Sequence, residues 1–161
     1  MRVLCCLDGT NVEQVSKATE MLLATQSLTL RMLYVINTGP RKDFEHTRER
    51  FLRPVGPPRP REDQIQQAEH AAAHDILNEG LRYLPDAEIL EREGRPERGI
   101  VNVAAEWAAD LVIICPRAEY GGKPIIGPKS VGHVARFVLD HAPCPVLLVR
   151  QLAREQFPIA R

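Results

Sequence analysis

The chain has 161 residues, of which 44% are hydrophobic and 26% are charged; this composition fits one globular domain and excludes an intrinsically disordered chain. Its 21 basic and 21 acidic residues give a formal net charge of zero, which argues against a surface built for nucleic acid. No apolar run has the length of a membrane span, and the first run, residues 3–7, is too short for a signal-peptide core. We therefore expect a cytoplasmic protein with neither nucleic-acid nor membrane partners.

The first elements alternate between strand and helix patterns. Residues 3–7 are continuously apolar, typical of a buried strand, and the turn-forming residues 8–11 follow them. Strand character returns over residues 28–36, and a turn at residues 37–40 ends it. Between the two strands, an amphipathic helix is predicted by apolar residues at spacings of three and four: Val12, Val15, Ala18 and Leu22.

The segment 40–62 differs in composition from the rest of the chain. It is rich in proline and arginine, and it has no apolar periodicity. We predict a long, mobile, locally basic loop, with one helical turn around residues 44–51. A solvated connector is one interpretation. A lid or a partner-binding segment is the alternative, since long loops of compact domains often carry function.

The middle of the chain contains a second long helix, over residues 64–83, and then a strand over residues 87–93 that alternates apolar and charged residues. Such alternation suits a position near the sheet edge. A third helix starts at Pro96, where proline is tolerated, and reaches Trp107, which we expect in the core. The buried stripe of the second helix is predicted to contain Ile65, Ala68, Ala72 and Ile76.

The last elements follow the strongest buried-strand pattern of the chain, residues 111–115. A glycine-rich stretch over residues 121–132 leads into a helix over residues 133–141, and residues 146–149 form a final strand. The tail, residues 151–161, is too short to add another packed layer.

This order of elements predicts the fold class. Strands that alternate with helices are parallel and joined by right-handed crossovers. We therefore predict an α/β domain over residues 1–150, an open, doubly wound parallel sheet with helices on both faces, followed by the tail 151–161.

The four cysteines show neither a C-x-x-C pair nor the spacing of zinc ligands. We expect buried free thiols in a reducing compartment. A redox role for Cys5 or Cys6 is the alternative, although no neighbour in the sequence depresses the pKa of either thiol.

Two segments are candidates for a binding site, because ligands of open α/β sheets bind outside the carboxyl ends of the strands. One is Asp8-Gly9-Thr10, and the other is the glycine-rich stretch before a helix N-terminus, where backbone N–H groups and the helix dipole favour phosphate. Taken singly, each has a structural explanation. Asp8 is equally a turn former or helix cap, and the glycine-rich stretch is equally a flexible connector.

Other polar residues have weaker functional interpretations. His70 and His74 have the spacing of two metal ligands on a helix, but a solvated helix face is the preferred interpretation. His141 is expected to cap the last helix, where a cation meets the dipole favourably. Ser130 has no evident base and orienting acid, so we find no catalytic set and expect a protein that is not an enzyme.

Four segments together resemble a universal stress protein: residues 3–10, 33–35, 109–114 and 138–150. The most specific is the closing run His-Ala-Pro-Cys-Pro-Val-Leu-Leu-Val-Arg, residues 141–150. The resemblance covers nearly all of residues 1–150. It implies a small cytoplasmic protein of the stress response with five strands in the order 3-2-1-4-5, usually a homodimer through its last strand, and ATP binding in many members.

The resemblance also implies a role for individual residues. Asp8 takes the place of the aspartate that contacts adenosine, while Val35 and Ile114 take the places of residues that flank the adenine. Ribose and phosphates lie on a glycine-rich motif, whose second and third glycines match Gly122 and Gly132. The complete nucleotide-binding set implied in this way is Asp8, Gly9, Val35, Ile114, Gly122, Ser130, Gly132, His133 and Val134.

The chain departs from that motif at two positions. Glu119 stands at the first glycine, where its carboxylate repels phosphate unless a metal intervenes, and His133 replaces the usual hydroxyl. Lys123 and Lys129 add compensating positive charge. We expect a regulatory protein that binds ATP or a related adenine nucleotide. Mg²⁺ is a candidate cofactor that binds together with ATP. The alternative is a member without nucleotide that acts as a dimeric protein-interaction module. A third option is an enzyme of the wider adenine-nucleotide α-hydrolase class, since slow ATP hydrolysis needs no dedicated base.

Overall fold

The computed structural model describes residues 1–24, 27–38, 60–116 and 130–150, with side chains from residue 63 onward in the third range. The predicted basic loop up to residue 59, the glycine-rich stretch up to residue 129 and the tail 151–161 lie outside these ranges. Strands and helices alternate along the described chain. They are β1 (Arg2–Leu7), α1 (Val12–Leu23), β2 (Thr29–Asn37), α2 (Pro60–Tyr83), β3 (Glu88–Gly94), α3 (Pro96–Glu106), β4 (Leu111–Ile114), α4 (His133–His141) and β5 (Val146–Leu148).

The strands form one parallel sheet of five strands in the order β3-β2-β1-β4-β5. This confirms the predicted fold class and strand order. In the register, Leu7 lies beside Tyr34 on β2 and Cys5 lies beside Ile113 on β4. The carboxyl ends of the central strands therefore lie together at one end of the sheet. β3 and β5 are its two outermost strands.

The core has two layers, one on each face of the sheet, because successive side chains of a strand point to opposite faces. On one face, residues such as Val3 and Cys5 pack with α1 and α2, and on the other, residues such as Leu4 and Cys6 pack with α3 and α4. Within the described ranges, no helix is long and apolar enough to cross a membrane.

Helix α2 differs from its prediction at both its start and its buried stripe. It begins at Pro60, inside the segment predicted as loop up to residue 62. Ile65, Ala68 and Ala72 are exposed and Ile76 is half-buried, whereas the buried positions include Ala73, Leu77 and Gly80. The reason is the orientation of the helix: α2 packs on the sheet through the side that carries Ala73, Leu77 and Gly80, with Gly80 against Met32 of β2.

The thiols of Cys5 and Cys6 are free and buried, and those of Cys115 and Cys144 are free and half-buried. Burial raises the pKa of Cys5 to about 11, although a hydrogen bond with Thr19 opposes this. Burial also raises the pKa of Cys6 well above its ordinary value. Because the thiolate is the reactive form, this environment argues against the redox alternative for the pair.

Candidate functional site

The first candidate segment forms an ordered turn at the end of β1. The Oδ1 atom of Asp8 accepts hydrogen bonds from the backbone N–H of Thr10 at 2.8 Å and from its hydroxyl at 2.9 Å. Gly9 has a φ of +88°, in the region that favours glycine. The side chain of Asp8 is exposed. The turn therefore holds a carboxylate in one orientation at the carboxyl edge of the sheet.

Asn11 holds this turn against the strand, a role that the sequence pattern did not reveal. The side chain of Asn11 is buried; it donates to the carbonyl of Cys6 at 3.0 Å and accepts from the N–H of Asp8 at 3.0 Å. It makes no side-chain capping bond to α1. An asparagine before a helix is usually interpreted as a cap, and here its amide closes the strand end instead.

Val35 and Ile114 lie on the two strands that flank β1, on the face of the sheet that α3 and α4 cover, whereas Asp8 lies in the turn just after β1. Val35 is half-buried and packs against α3 at Gly99, where an added Cβ would lie 3.3 Å from the Val35 methyl groups. The side chain of Ile114 is buried in the core between the sheet, α3 and α4. Ile114 therefore lies below the surface at this edge of the sheet, whereas the side chain of Val35 is partly exposed.

Cys115 and Tyr34 lie near Asp8, a proximity that sequence reasoning missed. Burial raises the pKa of Cys115 to about 11; the charge of Asp8 raises it further, and a hydrogen bond with Asn11 opposes the shift. Burial, with the charge of Asp8, also raises the pKa of Tyr34. Both groups are therefore neutral near pH 7, and Asp8 supplies the local charge.

The second candidate segment is described only from residue 130, so Gly122 and Glu119 lie outside the described residues. Gly132 is the N-cap residue of α4, with a φ of +79°, and it has no side chain with which to cap this helix start. Ser130 and Val134 are half-buried beside it, and His133, the first residue of α4, is exposed. The start of α4 therefore presents backbone N–H groups and an imidazole.

Glu97 faces this helix start from the neighbouring helix. It lies in the first turn of α3, and its Oε1 atom is 3.8 Å from Nε2 of His133. The Glu97 side chain is 12% exposed and that of His133 is 78% exposed, so the carboxylate is the inner partner of the pair. The prediction did not include Glu97. The available signal was its spacing of three from Ile100 and seven from Ala104, which extends the buried stripe of α3.

His70 is part of a different cluster, on the face that α2 presents to β3. Its Nδ1 atom lies 2.5 Å from Oε1 of Glu91, and its Nε2 atom lies 3.0 Å from Oε1 of Glu93. The side chain of His70 thus pairs with β3 while 39% of it stays exposed, whereas exposed His74 contacts Asn78 on its own helix. Among the described residues, no group of three potential ligands could hold a metal ion.

Two further predictions concern helix ends. Nδ1 of His141 lies 2.9 Å from the carbonyl oxygen of Phe137, and the two rings stack at 4.1 Å, which is consistent with the expected capping role. Trp107 lies just beyond α3 and is only partly buried. The guanidinium of Arg31 lies over its ring at 4.4 Å, so Trp107 borders the core and does not lie within it.

Together these features define an open α/β domain whose carboxyl edge combines an ordered carboxylate turn with a helix start at which Gly132 is the N-cap residue. Residues 1–150 match the family model described as the universal stress protein family, and the chain belongs to this family. A curated relative from Thermus aquaticus, the universal stress protein in the QAH/OAS sulfhydrylase 3′ region, is 32% identical over 87 residues. The match covers 54% of this chain and 58% of that relative, little more than half of its length.

Solved structures share the fold at low sequence identity. Universal stress protein UspA from Lactobacillus plantarum has a TM-score of 0.66 at 20% identity, covering 93% of this chain and 97% of that one. A universal stress protein in complex with cAMP has a TM-score of 0.61 at 19% identity, covering 94% and 98%. A family member from Arabidopsis thaliana with AMP bound has a TM-score of 0.54 at 17% identity, covering 99% and 97%.

Proposed function

We propose that this chain is a regulatory protein of the cytoplasmic stress response that binds ATP or a related adenine nucleotide at the carboxyl edge of its sheet. The observation that carries the proposal is the exposed carboxylate of Asp8, held in place by both donors of Thr10. Family members of the same fold that were solved with cAMP and AMP support the ligand class.

In this proposal, Asp8 accepts a hydrogen bond from the adenosine part of the ligand. Among the described residues, its hydrogen bonds all reach Oδ1, so Oδ2 is available to a ribose hydroxyl or an adenine amine. Gly9 keeps the turn free of a side chain, and Val35 offers an apolar surface to the base. The ligand needs no rearrangement of the turn, since the carboxylate is already oriented.

The phosphate end of the ligand would lie toward the start of α4. Gly132, the N-cap residue, offers no side-chain cap to the first N–H groups of this helix, and such groups, with the helix dipole, attract anions. His133 adds a cation when it is protonated. Mg²⁺ would be coordinated by the phosphates of the nucleotide, because the described residues do not form a cluster of metal ligands.

The test is the replacement of Asp8. We expect Asp8→Ala to weaken adenine-nucleotide binding by about 1–3 kcal/mol, because the hydrogen bond from the ligand loses its acceptor. Calorimetric titration measures this, and circular dichroism verifies the fold. Asp86→Ala is the matched control, since Asp86 is an exposed aspartate in the turn after α2. Equal affinity of the Asp8 variant and the control would remove Asp8 from the site.

We also propose that the chain acts by binding and not by catalysis. In the parts of the chain that the structure describes, Ser130 makes no hydrogen bond with a histidine or a carboxylate, and Glu97 contacts His133 only at 3.8 Å. A nucleophile with an aligned base and an orienting acid needs shorter contacts.

Dimerisation through the last strand is a second proposal. It does not require nucleotide binding, so it also applies if the chain acts as a dimeric protein-interaction module. β5 is a side strand of the sheet, so its outer backbone groups face away from β4. Leu147 at its centre is 37% exposed. An apolar side chain on an open sheet edge favours pairing with a second chain.

A further inference from the structure

Asn11 is a buried polar residue whose side chain contacts three parts of the carboxyl edge. Only 4% of the residue is exposed. Its Nδ2 atom donates to the carbonyl of Cys6 on β1, and its Oδ1 atom accepts from the N–H of Asp8, both at 3.0 Å. Its amide also hydrogen-bonds with Cys115, the residue after β4. The donor and acceptor groups of this buried amide are therefore both used, as burial of a polar side chain requires.

These contacts connect the two strands at which the strand order reverses. From β1 the sheet continues through β2 to β3, and from β4 it continues to β5 on the other side. The helix after β1, α1, packs on one face of the sheet, and the helix after β4, α4, packs on the other. Such a reversal opens a crevice between the two strands, where ligands of open α/β sheets bind. Asn11 therefore joins the two strand ends between which this crevice opens.

The contacts of Asn11 depend on its amide and not on its position before a helix. An asparagine before a helix ordinarily caps it, but this side chain makes no capping bond to α1. An aspartate of the same shape could accept from the N–H of Asp8, but it has no donor for the carbonyl of Cys6. The side chain is therefore chemically matched to the strand ends and the turn that it joins.

We propose that Asn11 is a positioning residue of the adenine-nucleotide site, which fixes the Asp8 turn relative to the end of β4 before a ligand binds. This role rests on the proposed function, in which Asp8 contacts the ligand, and Asn11 acts through Asp8 alone. Thr10 orients the Asp8 carboxylate within the turn, whereas Asn11 holds the backbone of the turn on the sheet. A contact group that is already in its bound position loses less conformational freedom on binding, so the affinity is higher.

A double-mutant cycle tests this role by calorimetric titration with the nucleotide that the wild type binds more tightly, AMP or ATP with Mg²⁺. Asn11→Ala should weaken binding about tenfold in the wild-type background. In the Asp8→Ala background the same change should cost about threefold or less. Asp8→Ala removes the carboxylate but keeps the N–H from which Asn11 accepts, so a purely structural effect of Asn11 would be the same in both backgrounds.

Asn102→Ala is the matched control, because Asn102 is an exposed asparagine on α3. It should leave the affinity unchanged, and circular dichroism verifies the fold of every variant. Equal losses in the two backgrounds, or an Asn11→Ala protein that binds like the wild type, overturn the inference while the proposed function stands. A wild type that binds neither nucleotide overturns both.

Hydrogen exchange of the wild-type chain, followed by NMR, tests the inference without a substitution and decides it if Asn11→Ala does not fold. The backbone N–H of Asp8, which donates to Asn11, should exchange at least about tenfold more slowly than an unstructured amide in the absence of nucleotide. An Asp8 N–H that is protected only when the nucleotide is bound would show that the turn is not fixed beforehand, and overturns the inference.

Discussion

At the scale of single residues, Gly9 and Gly94 fix the backbone where β1 and β3 end. Both have a positive φ, +88° and +140°, that side chains other than glycine rarely adopt. They differ in their surroundings. A Cβ on Gly9 would lie 3.1 Å from Cδ1 of Ile76, whereas a Cβ on Gly94 would meet no atom within 4 Å.

This pair separates backbone strain from crowding. We expect Gly9→Ala to lower the free energy of unfolding by about 1–3 kcal/mol, from strain together with the contact on Ile76. Gly94→Ala should cost less, since strain acts there without crowding. Urea unfolding followed by circular dichroism measures both. A Gly9→Ala variant as stable as the wild type would show that the turn after β1 is not held as described.

The residue scale also shows which site positions a sequence can reveal. Asp8 and Gly9 follow a continuous apolar run, so their place at a strand end was predictable. Glu97 was not, because a glutamate in a first helical turn is ordinarily a favourable partner of the dipole. Only the crossing of α3 and α4 brings it to His133, and the helix pattern does not contain that crossing.

At the scale of elements, His70 joins α2 to the side strand β3. Each ring nitrogen faces a different carboxylate, that of Glu91 or that of Glu93. A neutral imidazole carries one N–H donor, so only the protonated ring can donate to both. The hydrogen bond with Glu91 is the largest cause of the raised pKa of His70, and the charges of Glu91 and Glu93 contribute to it.

This cluster makes stability depend on pH. Because the pKa of His70 is raised in the folded state, its stabilising contribution is complete below the unfolded value of about 6.5 and is lost as the pH rises through the folded value. The free energy of unfolding of the wild type should therefore exceed that of His70→Gln most at pH 6 and least at pH 8.5. Urea unfolding at both pH values measures the difference.

His74→Gln is the control for this prediction, since His74 lies on the same helix and contacts Asn78 instead of a carboxylate. Its difference from the wild type should not follow the same trend. A His70→Gln variant whose stability difference is constant between pH 6 and pH 8.5 would show that the imidazole does not change charge within this cluster.

The elements themselves were largely predictable, and their contacts were not. Apolar periodicity placed β1, α1 and α4 within a residue or two of their observed ends. In α2 it selected the stripe of Ile65 and Ala72, which is exposed. Alanine-rich helices carry weak periodicity, and only the position of the sheet beneath them determines which alanine is buried.

At the scale of the whole molecule, the open side of β5 is the feature that would join two chains. We expect a concentration-dependent dimer in sedimentation velocity and its loss in Leu147→Lys, because a charge on the edge strand opposes pairing. Leu139→Lys is the matched control: Leu139 is a comparably exposed leucine, at 42%, on α4 and not on the edge strand. A wild-type chain that sediments as a monomer at all concentrations would end the proposal.

The overall topology follows from the alternation of strand and helix patterns, because parallel strands with right-handed crossovers leave few arrangements. The strand order came from the resemblance of four short segments to a family. The site could be predicted only as a location, the carboxyl edge. Contacts such as that of Glu97 with His133 join residues that are far apart in sequence and meet through packing.

The central claim is that this edge binds an adenine nucleotide, and direct calorimetric titration of the purified wild-type chain tests it most directly. Nucleotide carried through purification is first extracted and identified, and the chain is then titrated with AMP and with ATP and Mg²⁺. The account predicts saturable binding of an adenine nucleotide, or an adenine nucleotide in the extract. A chain that carries none, and binds none up to millimolar concentration, would contradict the claim.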